Sequence, residues 1–454
     1  MARSDLTEGP VWRALARVSA PMSLGILAVL SIGLADAYFL GQLGGAPLAA
    51  VGFIYPVTTA LASLAIGLSA GANAAVSQAL GREDEDSAVA RMSLHAAGLG
   101  LLLSVLVALG FYVLHGQIFG SMGARGKVME EISAYVPLWA LSFPFLVLMM
   151  LVNALFRAHG NAVHASLFMI LAAAVNIALN PLFIFGWGPV PAMETGGAAL
   201  ATLAGRLAAA VGAIAFAVHA GYLRLCGRIW QDLWRSLREI TQVGAPAAFS
   251  NAINPAGMAL VTAAVATLGD AAVAGFGAAT RVQSLAIVVL LALSAGIGPV
   301  VGQNWGAGKG ERAQSAVVQA WAFCLVYGLA LGAVLSLGGG WIASAIAEDA
   351  EAADYTRRYL QIVGWSLFGY GILVTANAAM NARSKALHSM GLSLGRITLI
   401  YVPLAWIGVW SFGYGGILAA AVAANLSAVA GAVWAARRTG LWPESARITR
   451  HIAA

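Results

Sequence analysis

A single acidic side chain, Asp36, interrupts an apolar run of about twenty residues near the start of the chain. A carboxyl group inside a membrane-spanning segment costs roughly 2.5–3.5 kcal/mol to insert, so it is a functional-site hypothesis by default. The chain has 19 Asp and Glu in total, and all the others can be assigned to tails or connecting loops. Asp36 is therefore the candidate for binding and releasing a proton or a small cation. The alternative is a structural carboxyl group held neutral by a hydrogen bond.

Three neutral polar side chains are predicted at the depth of Asp36. Asn176 and Asn180 lie one helical turn apart in a later apolar segment, so both amides share one helix face. Counting about 1.5 Å per residue from the span ends places both amides and Thr202 in the outer half of the bilayer with Asp36. A carboxylate, two amides and a hydroxyl can hold a proton with its hydrogen-bond partners, or coordinate a small cation. Taken singly, each neutral side chain is more often a contact between helices.

The elements that must position these residues are long hydrophobic helices. Of the 454 residues, 60% are hydrophobic and 10% are charged, and the mean hydropathy is +0.82. A soluble domain cannot bury this much apolar material, so the composition predicts an all-α polytopic membrane protein. Windows of about twenty apolar residues predict twelve spans, at 18–41, 49–76, 92–115, 132–156, 163–186, 197–220, 241–267, 273–303, 314–340, 356–381, 391–412 and 415–436.

Basic residues predict the orientation and the domain boundary. Most Lys and Arg fall in connections on the side of the N-terminus, which the positive-inside rule assigns to the cytoplasm. We therefore expect a protein of the inner membrane with both termini cytoplasmic and no cleavable signal peptide. The net charge of +6 follows from this topology and does not indicate a nucleic-acid partner. A basic linker at 221–239 separates an N-terminal lobe, 1–220, from a C-terminal lobe with a basic tail, 240–454.

The two lobes are predicted to be pseudo-symmetric copies of one six-helix unit. Residues 43–81 align without a gap onto residues 268–306. A unit with an even number of spans enters the membrane twice from the same side, so the repeats are parallel. Such lobes can enclose a central cavity and open it alternately to each side. Asp36 corresponds to Val261, so the ionisable site belongs to the N-terminal lobe alone.

The correspondence continues outside this block. Pro21 corresponds to Pro246 and, with a shift of one residue, Ser142 corresponds to Ser366. Proline removes a backbone hydrogen bond within a helix. Pro21 is therefore a candidate kink on the helix that carries Asp36, and such a kink can couple protonation of Asp36 to the shape of the helix. A static bend is the alternative.

These residues also carry a family resemblance. The stretches Pro21–Asp36, Phe39–Gly44, Leu48–Gly52, Gly67–Gly71, Asn176–Gly186 and Gly196–Thr202 together resemble the multidrug and toxic compound extrusion (MATE) family. The resemblance covers nearly the whole chain. Among the branches of the family it is most like the DinF-like one, in which an Asp in the first helix follows a Pro as Asp36 follows Pro21.

The resemblance implies an antiporter that exports amphiphilic, often cationic, compounds in exchange for H⁺ or Na⁺. We expect a monomer without a cofactor or a metal centre. The resemblance places the coupling site at Asp36, Asn176, Asn180 and Thr202, with Asn153 and Met169 on the adjoining substrate cavity. Tyr38, two residues after Asp36, is a further candidate for the substrate cavity.

Two positions depart from the family pattern. Many relatives have Asp where this chain has Asn180, so a site with two carboxylates is reduced to one. Another branch binds sodium through acidic residues at positions that correspond here to Asn254 and Asn377. A sodium site in the C-terminal lobe is therefore not expected.

Three arginines, Arg206, Arg281 and Arg396, are predicted inside spans. They can be interfacial or paired with backbone carbonyls. If they line the cavity instead, they favour a flippase for an anionic lipid-linked precursor, as in distant members of the superfamily.

Other protein classes are less consistent with the sequence. An intramembrane enzyme needs a nucleophile with a base, or a metal pair, and the predicted spans contain neither. Cys226 and Cys324 lack metal-ligand spacing and are predicted to be structural. A channel does not require a unique carboxyl group within its spans.

Overall fold

The computed structural model describes residues 6–225, 229–347 and 349–443. The described residues are helical apart from short connections and one isolated bridge between Trp187 and Val190. Within these described ranges, twelve spans are long and apolar enough to cross a membrane, which confirms the predicted fold class and the number of spans. The predictions that concern Cys226 and the tail after residue 443 lie outside the described residues, as does the part of the predicted linker at 226–228.

The first six spans are uninterrupted helices. They are α1 (Val11–Gly41), α2 (Gly45–Gly81), α3 (Asp86–Ser121), α4 (Gly126–Ala158), α5 (Ala162–Phe185) and α6 (Glu194–His219). Most extend beyond the apolar windows, because polar residues at a helix end continue the backbone hydrogen bonding without contributing hydropathy.

Three of the later spans are interrupted. The helices are α7 (Leu233–Ala266), α8 (Asp270–Ala286), α9 (Val288–Gly306), α10 (Gly310–Ile346), α11 (Ala350–Val363), α12 (Leu367–Ala382), α13 (Ala386–Leu394), α14 (Val402–Phe412) and α15 (Tyr414–Arg438). The eighth span breaks at Ile287 and the tenth contains a 3₁₀ turn at Gly364–Ser366. The eleventh contains a π-helical segment, Gly395–Tyr401. Such wider turns occur frequently at functional sites.

The described chain forms two compact units, residues 21–248 and residues 6–20 with 249–443. The division after Ala248 lies inside α7, and residues 233–239 of the predicted linker form the start of that helix. Leu6 belongs to the second unit, where its N–H donates to Gln303 Oε1 at 3.0 Å and its carbonyl accepts from Asn304 Nδ2 at 3.0 Å.

The chain passes between the units inside two helices. In α1 the boundary lies between Ala20 and Pro21, and in α7 it lies directly after Ala248. Pro246, which corresponds to Pro21, is two residues before that point. The helix α1 is continuous through Pro21.

Substitution of Gly71 can show how tightly the helices of the first unit pack. A Cβ added there would meet the carbonyl of Ile240 and lie 3.1 Å from the backbone nitrogen of Gly244, both in α7, whereas a Cβ on Gly110 in α3 would meet nothing within 4 Å. Gly to Ala in a helix interior stabilises by about 0.5–1 kcal/mol when space allows, while overpacking costs about 1–3 kcal/mol. We expect Gly110→Ala to raise the thermal unfolding temperature in detergent and Gly71→Ala to lower it. Equal shifts would contradict this packing.

Candidate ion-coupling site

The four predicted coupling residues form one hydrogen-bonded row in the first unit. Asn180 Nδ2 donates to Asp36 Oδ1 at 2.6 Å and lies 3.4 Å from Asn176 Oδ1. Asn176 Nδ2 in turn donates to Thr202 Oγ1 at 3.1 Å. The row thus runs from α1 across α5 to α6, and the structure brings together all four side chains that the sequence placed at one depth.

The local sequence explains how α5 and α6 hold this row. Asn176 and Asn180 are almost completely buried on one face of α5. Pro181 directly follows, and because proline has no N–H, the carbonyl of Ile177 lacks its usual helical donor. Gly205 on α6 lies against α5, where an added Cβ would be 3.3 Å from Asn176 Cβ. Glycine at this position lets the two helices approach closely enough for the amide to reach the threonine.

One atom of the row has no partner. Asn180 Oδ1 is buried and makes no hydrogen bond in the structure. An ionised Asp36 can only accept hydrogen bonds, whereas a protonated carboxyl group also has an O–H to donate. Rotation of the Asn180 amide would present its oxygen to that donor. The site therefore offers a distinct hydrogen-bonded arrangement for each protonation state of Asp36.

Side chains from α4 and α6 complete the surroundings of Asp36. Tyr135 and Arg206 both interact electrostatically with its carboxyl group. Arg206 Nη1 donates to Ser142 Oγ at 2.6 Å, and its guanidinium carbon is 5.2 Å from the centre of the Trp139 ring. Arg206 thus bonds to a side chain of α4 and not to a backbone carbonyl, which was one of the arrangements that the sequence left open. Sequence reasoning missed the role of α4, since no periodicity reveals which helices face α6.

Glu131 lies inside a helix of the first unit, which corrects its assignment to a connecting loop. The predicted fourth span began at residue 132, but α4 begins at Gly126 and includes Glu131. Glu131 is half-buried and accepts a hydrogen bond from the fully buried Thr195 at the start of α6. It lies one turn before Tyr135.

The structure does not bring the three predicted cavity residues into the row. Tyr38 is 67% exposed and its ring contacts Phe39. Asn153 is buried in α4, with an unpaired Oδ1. Met169 faces α1, where its sulfur would be 3.1 Å from a Cβ on Gly25.

The second unit contains a comparable arginine. Arg396, in the π-helical segment, donates through Nη2 to Asn425 Oδ1 at 2.9 Å, and Asn425 Nδ2 donates to Ser366 Oγ at 2.9 Å. Ser366 is the counterpart of Ser142, so each unit connects a guanidinium to the corresponding serine. Arg281, by contrast, is exposed. Among the described residues, neither Arg206 nor Arg396 has a carboxylate oxygen within 4 Å.

Comparisons with known proteins agree with this architecture. The MatE family model matches residues 21–182 and 246–407. The chain is 34% identical over 437 residues to the FAD transporter of Shewanella oneidensis, covering 93% of this chain and 94% of the relative. It is 25% identical over 415 residues to the multidrug export protein MepA of Staphylococcus aureus, covering 90% of each.

Solved structures show the same fold. The MATE transporter VcmN of Vibrio cholerae in the bent form has a TM-score of 0.88 and 27% identity, over 94% of this chain and 96% of that one. A MOP superfamily transporter from Pyrococcus furiosus has a TM-score of 0.90 and 25% identity, over 99% of both. The chain therefore belongs to the MatE family, the MATE transporters, whose members are multi-pass membrane proteins that act as transporters of small molecules rather than as enzymes.

Proposed function

We propose that this chain is an H⁺-coupled antiporter of the inner membrane that exports amphiphilic small molecules by alternating access. The observation that carries the proposal is the row from Asp36 to Thr202, in which a titratable carboxyl group meets an amide whose oxygen is unpaired. Such a site responds to a proton by exchanging hydrogen-bond partners.

The charges around Asp36 couple its protonation to a movement of α1. While Asp36 is ionised, Arg206 on α6 attracts it and Asn180 on α5 donates to it. Protonation removes the negative charge, so α1 loses this attraction while the guanidinium keeps its bonds to α4. Pro21 lies in the same helix at a point that lacks a backbone hydrogen bond, which makes it the position at which α1 bends.

The charge inside both units favours an anionic substrate. Arg206 and Arg396 lie within the helix bundles without a carboxylate oxygen within 4 Å, among the described residues. An anionic amphiphile gains from these charges, whereas a cationic drug is repelled by them. The FAD transporter of Shewanella oneidensis is the relative at 34% identity, and a flavin dinucleotide joins an aromatic ring system to a pyrophosphate. We therefore favour a flavin dinucleotide as the substrate.

Export of cationic drugs is the second candidate, supported by the similarity to MepA over 90% of both chains. One assay distinguishes the two candidate substrates. Proteoliposomes are loaded with FAD or with ethidium, and efflux is followed under a pH gradient alone and under a Na⁺ gradient alone. We expect the pH gradient to accelerate FAD efflux at least tenfold over protein-free liposomes and the Na⁺ gradient to have no effect.

Other results of this assay would reject either the flavin substrate or the coupling of transport to an ion gradient. Accelerated efflux of ethidium alone would reject the flavin substrate and retain the antiporter. An efflux rate that is the same with and without either gradient would reject coupled transport. Movement of a fluorescent anionic lipid between the leaflets, without FAD efflux, would support the flippase alternative.

A further inference from the structure

A cavity of about 420 Å³ lies in the second unit between α13, the π-helical segment and α15. Apolar residues form most of its wall, among them Leu387, Leu392, Ile400 and Trp434. Its polar residues are His388, Arg396 and Ser427. The volume falls in the range of small-molecule sites, which are mostly apolar with a few polar groups.

Arg396 is the one full charge of this wall and it is incompletely satisfied. Its Nη2 donates to Asn425, but its Nε is buried and has no acceptor in the structure. The rings of Tyr370 and Tyr401 flank the guanidinium at 5.4 and 5.9 Å, and neither carries a negative charge that could balance it. A buried donor on an uncompensated cation is costly. An anion in the cavity would balance the charge of the guanidinium.

The backbone that carries Arg396 is also unusual. The residue lies in the π-helical segment Gly395–Tyr401, within a span that otherwise continues as α13 and α14. Such segments are rare and occur frequently at functional sites. In the second unit, therefore, a local distortion of the helix carries an arginine that lines the cavity and, among the described residues, has no carboxylate oxygen within 4 Å.

We propose that Arg396 binds a phosphate group of the transported amphiphile in this cavity. The inference rests on the proposed flavin dinucleotide substrate and names the residue that recognises its pyrophosphate. A guanidinium matches phosphate in both charge and hydrogen-bond geometry, with short charge-assisted bonds. Trp434, at 60% exposed, offers an aromatic surface against which the ring system of the ligand stacks.

Three flavins with one ring system test the inference. Riboflavin has no phosphate, FMN has one and FAD has two, and their fluorescence reports binding to the purified full-length protein in detergent. We expect Arg396→Gln to weaken FAD and FMN binding at least about tenfold and to leave riboflavin binding unchanged. Inorganic pyrophosphate should displace FAD from the wild type. Arg281→Gln removes an exposed arginine of the same unit and should change nothing.

Further variants and ligands distinguish phosphate binding by Arg396 from a purely structural role and from a lipid site. Arg396→Lys retains the charge and should recover part of the FAD affinity. Equal weakening of all three flavins by Arg396→Gln would overturn the inference, as would unchanged FAD binding with loss of bound phosphatidylglycerol. If the wild type binds no flavin, the proposed substrate itself fails. If it binds FAD and Arg396→Gln binds FAD equally well, only the assignment of Arg396 fails.

Discussion

Replacing Asp36 by Asn is expected to abolish gradient-driven export while leaving the protein folded and able to bind its substrate. Asn has nearly the same shape as Asp, and its amide oxygen can still accept the hydrogen bond that Asn180 now donates to Asp36 Oδ1 at 2.6 Å. It cannot gain or lose a proton in the accessible pH range. Efflux from proteoliposomes under a pH gradient should therefore fall to the rate of protein-free liposomes, whereas binding titrations should match the wild type.

Asp270→Asn is the matched control. It makes the same chemical change at an exposed position in the first turn of α8. We expect it to transport at the wild-type rate. Undiminished proton-driven efflux in Asp36→Asn would remove Asp36 from the coupling mechanism. Equal losses in both variants would indicate that the net charge of the protein matters, not this site.

The second large effect is expected at Arg206, whose removal should let sodium ions act at the coupling site. A fixed positive charge near Asp36 opposes a second cation much more than it opposes a proton, which forms a neutral carboxyl group. Removing a positive charge that interacts with the Asp36 carboxyl group should strengthen Na⁺ binding by about tenfold or more. We expect a Na⁺ gradient alone to drive transport by Arg206→Gln and to leave the wild type inactive. Radioactive sodium binding to the purified proteins checks the affinity directly.

Two variants separate the charge of Arg206 from its packing. Arg206→Gln retains an N–H that can donate to Ser142, which accepts the bond from Arg206 at 2.6 Å, and Arg206→Lys retains the charge. Only the Gln variant should respond to sodium. Sodium-driven transport by the wild type would contradict the proposed role of the guanidinium. So would a Gln variant that binds no more sodium than the wild type.

Much of the site could be predicted from the sequence because helical geometry is regular. The spacing of Asn176 and Asn180 is one helical turn, so one face must present both amides wherever that helix lies. The places of Asp36 and Thr202 in the site could be predicted from their depth in the membrane, since residues in neighbouring spans at equal distance from the membrane surface can meet. The number of spans followed from the apolar windows, because a membrane requires about twenty apolar residues per helix.

The remainder depends on contacts that periodicity does not encode. Arg206 was visible as an intramembrane charge, but its position between Ser142 and Trp139 requires knowing that α6 packs on α4. Glu131 was assigned to a loop because hydropathy ends before the helix does. The break at Ile287 carries no proline signal, so tertiary packing must determine it. The π-helical segment ends just before Pro403, which has no N–H to donate back into it, but a proline alone does not indicate a π-helix.

The paired serines of the two units have a consequence for how such a protein diversifies. Each copy of the ancestral six-helix unit keeps a hydrogen-bond route from this serine to a guanidinium. The guanidinium of the first copy interacts with a carboxyl group, Asp36, whereas that of the second has tyrosines as its ionisable neighbours. If the first half specifies the energy source and the second specifies the cargo, each can mutate under separate selection. Paralogues could then acquire new compounds to export while inheriting an unaltered means of driving them.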